Sequence, residues 1–193
     1  DMVAVATVGK MLQVCAALYT PEYNPKPGLL SGTFLGSAVG LRVGRRIIER
    51  LSSGGYYGET GRIRRHHDIF IESIRDLAQR HPEWFPQTHL FHDIAAGYGG
   101  MMRFTPFAGK KEPILKLCKV LFDEGIIAFY TGHGPYHVRF LPPLGVMEET
   151  QWPRVFEIVE RCLSIVHAES PTHESPPVRP LHAPIGAGAD AEA

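Results

Sequence analysis

The chain lacks three features that would each have pointed to a class of protein. It has no excess of charge of either sign: 20 Lys and Arg residues balance 20 Asp and Glu, for a formal net charge of zero. With no long basic run either, this argues against a general nucleic-acid binder, which needs clustered cations to displace phosphate counterions. It has no apolar run approaching the ~20 residues that span a bilayer. The longest apolar-rich stretch, Met2 to Leu18, is broken by Lys10 and Gln13, so no membrane partner is expected. It is also poor in cysteine. Cys15, Cys118 and Cys162 form an odd set without paired spacing, which suits buried thiols in a reducing, cytoplasmic setting better than a disulfide framework.

What is present is a globular composition. Of 193 residues, 44% are hydrophobic, enough to build one core with room for an appendage. Asp1 is not an initiator residue, and no charged leader or cleavage site precedes the first strand-like run. The chain reads as one whose beginning lies elsewhere, either part of a longer polypeptide or the second half of a split enzyme.

Residues 2–8, rich in Val and Ala and ending at Gly9, suggest a buried parallel strand, apolar on both faces. Val14 to Tyr19 is a second short apolar run. A loop dense in Pro, Asn and Gly follows, ending in Ser31-Gly32-Thr33-Phe34. From Ser37 the period becomes helical. Val39, Val43, Ile47 and Leu51 share one face, with Ser37 placed to cap the helix and Gly54-Gly55 to stop it. A second helix is expected from a Thr60 cap to about Arg80, with Ile63, Phe70, Ile74 and Leu77 as its stripe.

Strands are then expected at Leu90–Ile94 and Met101–Phe104, a helix at about Glu112–Glu124, strands at Ile126–Tyr130 and His137–Leu141, and a last helix opened by Glu148-Glu149. Residues 168–193 hold few large apolar groups and are expected to be disordered. The fold class is α/β: residues 1–54 close a larger domain and supply a linking helix, residues 55–167 form a small α+β domain, and the tail follows.

Three residues carry chemistry. Lys10 directly follows a strand and a glycine, at the kind of strand end where α/β folds place ligands. A partly desolvated amine there would be nucleophilic; a lysine reaching from a strand end into solvent is the ordinary alternative. Arg139 is set in the apolar run Tyr136-His137-Val138-Arg139-Phe140-Leu141-Pro142-Pro143-Leu144. Its planar fork matches a carboxylate, from a ligand or from an internal Asp or Glu. Thr33, beside Gly32, could offer a hydroxyl and backbone N–H groups to a phosphate, or the loop could serve only to lead into the helix.

Taken together, these segments resemble the class III (fold type I) pyridoxal-phosphate aminotransferases, the group of acetylornithine, ornithine, 4-aminobutyrate and lysine 6-aminotransferases. Thr7-Val8-Gly9-Lys10 looks like the segment bearing the Schiff-base lysine, and Lys10-Met11-Leu12-Gln13-Val14-Cys15 is close to the lysine 6-aminotransferase version. Gly32-Thr33-Phe34-Leu35-Gly36 resembles the Ser-Thr-Tyr-Gly-Gly stretch of the family. Gly97-Tyr98-Gly99-Gly100-Met101-Met102 falls where the family approaches a small-domain strand. Val138-Arg139-Phe140-Leu141-Pro142-Pro143-Leu144 with Glu148-Glu149 is similar to the arginine-strand and last-helix signature. The resemblance covers roughly residues 1–166, the C-terminal half of such an enzyme.

It implies roles residue by residue. Lys10 would anchor pyridoxal phosphate covalently and shuttle a proton. Gly32 and Thr33 would bind the cofactor phosphate, usually that of the neighbouring subunit, which implies a homodimer with a shared site. Arg139 would clamp a substrate carboxylate. The activity implied is transfer of an amino group from an amino acid, ω-amine donors included, to a 2-oxo acid. Leu35, Ser37 and Phe34 depart from the usual glycine, asparagine and tyrosine. The family's phosphate cup, ring-stacking aromatic and pyridine-nitrogen aspartate all precede the lysine, and nine residues leave no room for them. An aminomutase of the same fold, or a non-catalytic truncated relative, are the alternatives.

No metal site is expected: ten histidines include no His-Glu-x-x-His pattern, and no Cys-x-x-Cys occurs. His133 or Tyr136 is expected to line the substrate side near Arg139. Gly97–Gly100 reads as a turn between strands, Arg62, Arg64 and Arg65 as a solvated helix face, and Cys15 as a small core residue.

Overall fold

The computed structural model describes residues 3–30, 32 and 36–169. The chain opens with a hairpin. β1 (Val5–Val8) pairs antiparallel with β2 (Ala16–Tyr19), Val5 opposite Tyr19 and Val8 opposite Ala16. The expected buried parallel strand is therefore half of an antiparallel pair, alternating between exposed and half-buried positions. A short apolar run reads the same in either setting; the seven-residue return through a 3-10 turn at Lys10–Leu12 decides it.

α1 (Ala38–Ser53) starts where the sequence places it: the Ser37 Oγ accepts the Gly40 N–H at 3.4 Å. It stops at Gly54-Gly55, with Gly55 at φ 68°. Gly44 is buried against the hairpin's return. A Cβ there would lie 2.7 Å from Val14 Cγ1 and 3.0 Å from the Leu12 carbonyl oxygen, so only glycine permits the approach. The helix's apolar stripe is otherwise open: Val39 is 75% exposed, and only Ile47 and Leu51 are half-buried.

α2 (Arg62–Arg80) follows a glycine-rich loop. Gly61 occupies its cap position with no side-chain acceptor, in place of Thr60. The Thr60 carbonyl instead accepts from the Arg65 guanidinium. The expected solvated basic face forms at Arg64 and Arg65, which are exposed, but not at Arg62, which is half-buried. Arg62 Nε donates to the Leu144 carbonyl and Nη2 to the Met147 carbonyl, each at 2.6 Å, and Arg65 Nε meets Glu149 Oε1 at 2.6 Å. These arginines tie the start of α2 to the segment after Arg139.

The second sheet has four antiparallel strands, β3 (Ala95–Tyr98), β4 (Met101–Phe104), β5 (Phe129–Gly132) and β6 (Tyr136–Phe140), in the order β3-β4-β6-β5. Gly99-Gly100 forms the turn between β3 and β4, as the sequence indicates. A Cβ on Gly97 would lie 2.1 Å from the Met101 carbonyl oxygen. That turn sets the register and places β3 later than the expected Leu90–Ile94. β5 is displaced for a different reason. At the end of α3 (Lys111–Asp123) the Ile126 N–H bonds the Leu121 carbonyl and the Gly125 N–H the Phe122 carbonyl, with Gly125 at φ 89°. This Schellman closure uses the residues the sequence had assigned to the strand.

α4 (Trp152–Glu169) follows a 3-10 turn whose capping box joins Glu148 and Gln151. α2 and α3 pack on one face of the four-stranded sheet, and α4 packs against both helices. Strand alternation sends Met102, Phe104, Val138 and Phe140 to that face, where they are buried. Phe70 is the hub: its ring centroid lies 5.7–6.3 Å from those of Phe104, Phe140, Trp152 and Phe156. Among the described residues before Gly61, only Gly44 is buried.

Candidate anion-binding face and the lysine turn

Lys10 opens the 3-10 turn after β1 at φ 49°. Its carbonyl holds the turn by accepting the Gln13 N–H at 2.9 Å and Gln13 Nε2 at 3.1 Å. The residue is exposed, not desolvated as a strand end in a closed α/β site would be. Among the described residues its amine makes no ion pair. A groove of about 380 Å³ lies beside this turn, lined by Val8, Gly9, Met11, Leu12, Ile48, Leu51, Ser52 and Tyr57; Lys10 is not part of its lining. Cys15 is also exposed, in contrast to the expected core position. Cys118 and Cys162 are withdrawn, and burial pushes both thiols up to about 11.

Gly32 is exposed. Thr33 lies outside the described residues, with Ser31, Phe34, Leu35 and the tail from residue 170.

Arg139 lies on the sheet face opposite the helices, half-buried, in a row that crosses all four strands. Ala96 faces Arg103, Arg103 faces Arg139, and Arg139 faces Phe129. The Arg139 Cζ sits 5.6 Å from the Phe129 ring centroid. Its Nε is buried without a hydrogen-bond partner, and no carboxylate of the described residues pairs with it. The internal acid partner that the sequence left open is thus not among them.

The adjoining row on this face is Thr105 and His137. Thr105 Oγ1 accepts from Arg103 Nη1 at 3.1 Å and lies 2.7 Å from His137 Nδ1. The hydroxyl can accept from both Arg103 and His137, so the His137 tautomer decides which of the two donates. Burial, and then the Arg103 charge, push the His137 pKa down. The Phe91 ring closes edge-on over His137.

Sequence reasoning missed Arg103 and Thr105 and read His137 only as the start of a strand. The signal was the period of two that puts residues 101, 103 and 105, and 137 and 139, on one face. The same alternation sends Tyr136 to the other face, where it packs near Tyr130 and Lys111; the expectation that it lines the Arg139 side is corrected. His133 lies on the β5–β6 turn near Tyr136. The structure does not join Lys10 to Arg139: one is on the hairpin turn, the other on the four-stranded sheet.

No family model matches the sequence, and comparison with curated proteins finds no match. Solved structures do match. A lysine aminotransferase from M. tuberculosis, in the internal aldimine form, aligns over 84% of this chain and 36% of its own, at 22% identity and TM-score 0.66. An acetylornithine aminotransferase from Elizabethkingia anophelis aligns over 86% of this chain and 42% of its own, at 20% identity and TM-score 0.65. The ornithine delta-aminotransferase of Plasmodium falciparum aligns over 84% and 40%, at 15% identity and TM-score 0.61. The chain thus has the α/β fold of a part of these aminotransferases, the group its motifs resemble, and spans well under half the length of each.

Of a pyridoxal-phosphate site, the described residues offer one element. An aldehyde cofactor requires a primary amine as its covalent anchor; Lys10 carries one, as do Lys26, Lys110 and Lys111, and none of the four makes an ion pair among the described residues.

Proposed function

We propose that this chain is part of a pyridoxal-phosphate-dependent transaminase that moves an amino group from an amino acid, ω-amine donors included, to a 2-oxo acid. The observation that carries the reading is Arg139: a guanidinium set into a sheet, its Nε buried and unpartnered, with no acid among the described residues to explain it. Such a group is built to receive a carboxylate from outside.

In this reading the residues act as follows. Lys10 would hold the cofactor through its amine and, when that amine is free, would move a proton to or from the substrate Cα. Gly32 and Thr33 contact the cofactor phosphate from the neighbouring subunit of a cytoplasmic homodimer. Arg139 binds the substrate carboxylate and so orients the bond to be broken. The cofactor, when bound, supplies the electron sink. α1 links the domain bearing Lys10 to the small domain of residues 55–167.

The test is covalent mapping. Borohydride reduction of the protein loaded with pyridoxal phosphate should leave the adduct on Lys10; an adduct on Lys26 or another lysine refutes the assignment. The exposure of Lys10 and its separation from Arg139 favour a second reading, a non-catalytic relative. Absence of any cofactor uptake, alone or with a large-domain partner, would establish that one. An aminomutase would turn over without an added 2-oxo acid, whereas the transaminase would not.

A further inference from the structure

We infer that the free edge of β5 is a self-association surface: it pairs antiparallel with β5 of a second copy of this chain, joining the two four-stranded sheets into one. The inference is independent of the transaminase reading, and the subunit contact implied at Gly32 and Thr33 lies elsewhere on the chain.

β5 is the outermost strand in the order β3-β4-β6-β5. Only β6 pairs with it, from Phe129 opposite Arg139 to Gly132 opposite Tyr136. Alternate residues of such a strand turn their N–H and C=O groups away from the one neighbour. Among the described residues no other backbone group bonds them. An edge of this kind accepts a further strand unless a charge, a proline or a bulge blocks it. Residues 125–132, Gly-Ile-Ile-Ala-Phe-Tyr-Thr-Gly, hold no charge and no proline. Ile127, Phe129 and Tyr130 are 68%, 48% and 54% exposed. The opposite edge differs: the exposed Asp93 stands two residues before β3.

Charge argues for a second copy as the occupant. α3 ends at Asp123, just before β5 begins. Its first residue, Lys111, lies at the far end, with Nζ 5.9 Å from the centroid of the Tyr136 ring that faces Gly132. The strand therefore has an acidic end, Asp123 and Glu124, and a basic end, Lys110 and Lys111. The acids meet Lys119 and Arg161 in exposed pairs, whereas neither lysine has an ion pair among the described residues. An antiparallel copy brings the lysine end of one β5 beside the acidic end of the other. The uncharged stretch between them sets no like charges opposite each other. A parallel copy would instead stack lysines on lysines. The zero net charge of the chain adds no general repulsion between copies. So short a strand makes a small contact, so the pair is weak and forms as concentration rises.

The test uses the whole chain and needs no cofactor. Sedimentation equilibrium should show a monomer–dimer exchange. Hydrogen exchange in residues 127–132 should slow as protein concentration rises. Tyr130→Lys and Ile127→Lys each put a charge on the edge; either should weaken the dimer by about tenfold or more and remove that protection. Val39→Lys, on the exposed stripe of α1, should change neither. A chain still monomeric at about 1 mM, a dimer indifferent to both β5 lysines, or concentration-dependent protection confined to residues 3–57 overturns the inference. The exchange pattern of the unaltered protein decides the matter even where a lysine variant misfolds.

Discussion

The indole N–H of Trp152, at the start of α4, donates to Nδ1 of His66 in α2 at 2.9 Å, inside the core. The bond requires His66 to be neutral, and its Nε2 is buried without a partner. Burial, then the positive charge of Arg62, pushes the His66 pKa down. Above the ordinary histidine value of about 6.5 the ring is neutral folded or unfolded, and nothing changes with pH. As pH falls through that value, the unfolded chain takes up protons that the folded one refuses, so stability is lost. His137 adds in the same direction. Denaturant melts at pH 7.5 and 5.5 should show the acid sample less stable. His66→Gln, which still offers Trp152 an acceptor, should flatten part of that slope; an unchanged slope would dismiss His66 as its source.

Arg62 holds two backbone carbonyls of the segment after β6 while only 20% exposed. Replacing it with alanine should cost about 2 kcal/mol, the scale of a charged hydrogen-bonding group. Lysine should not restore the loss, because one ammonium cannot span both the Leu144 and Met147 oxygens in the fork's geometry. Equal stability of the lysine variant and the original would contradict this account.

Phe70 touches four other aromatic rings at the centre of the helix–sheet core. Phe70→Ala should destabilise the fold by about 3–5 kcal/mol through lost burial and the cavity left behind. A loss under about 1 kcal/mol, measured by denaturation, would show that this cluster is not the core's hub.

Gly44→Val places a branched side chain where Val14 and the Leu12 carbonyl already stand. Hydrogen exchange should quicken in residues 5–19 while residues 62–169 keep their protection. Uniform loss of protection would mean that the hairpin and the helical core unfold as one unit.

On the transaminase reading proposed above, Arg139→Gln should raise KM for the carboxylate substrates by about 10- to 100-fold, with kcat changed far less, the signature of lost ground-state binding. A fall in kcat alone would place Arg139 in another role.

Much of this fold was legible in the sequence. The stripe read for α2 predicted the burial of Phe70, Ile74 and Leu77, and Ser37 predicted the start of α1, although the stripe read for α1 leaves Val39 and Val43 exposed. Met101–Phe104 was placed where β4 lies, but the edges of β3 and β5 were not legible: β5 begins late because a Schellman closure at Gly125 takes up the residues before it, and β3 is drawn up to the turn at Gly99-Gly100. Arg62 was misread for a related reason: the carbonyls it binds lie more than eighty residues away along the chain. Lys10 and Arg139 were both singled out by residue type and neighbours. Whether the amine is covered depends on which surfaces close over it, and no local pattern encodes that. Arg103 escaped notice because only the sheet register reveals its neighbour.

The apolar side chains are unevenly housed. From Phe70 onward the large ones mostly find one another, whereas Val3, Val5, Leu18, Leu29, Leu30, Val39, Leu41 and Ile48 all face outward. In dilute solution the leading third of the molecule is therefore the sticky end, and clumping on concentration should start there, relieved by whatever surface settles over it.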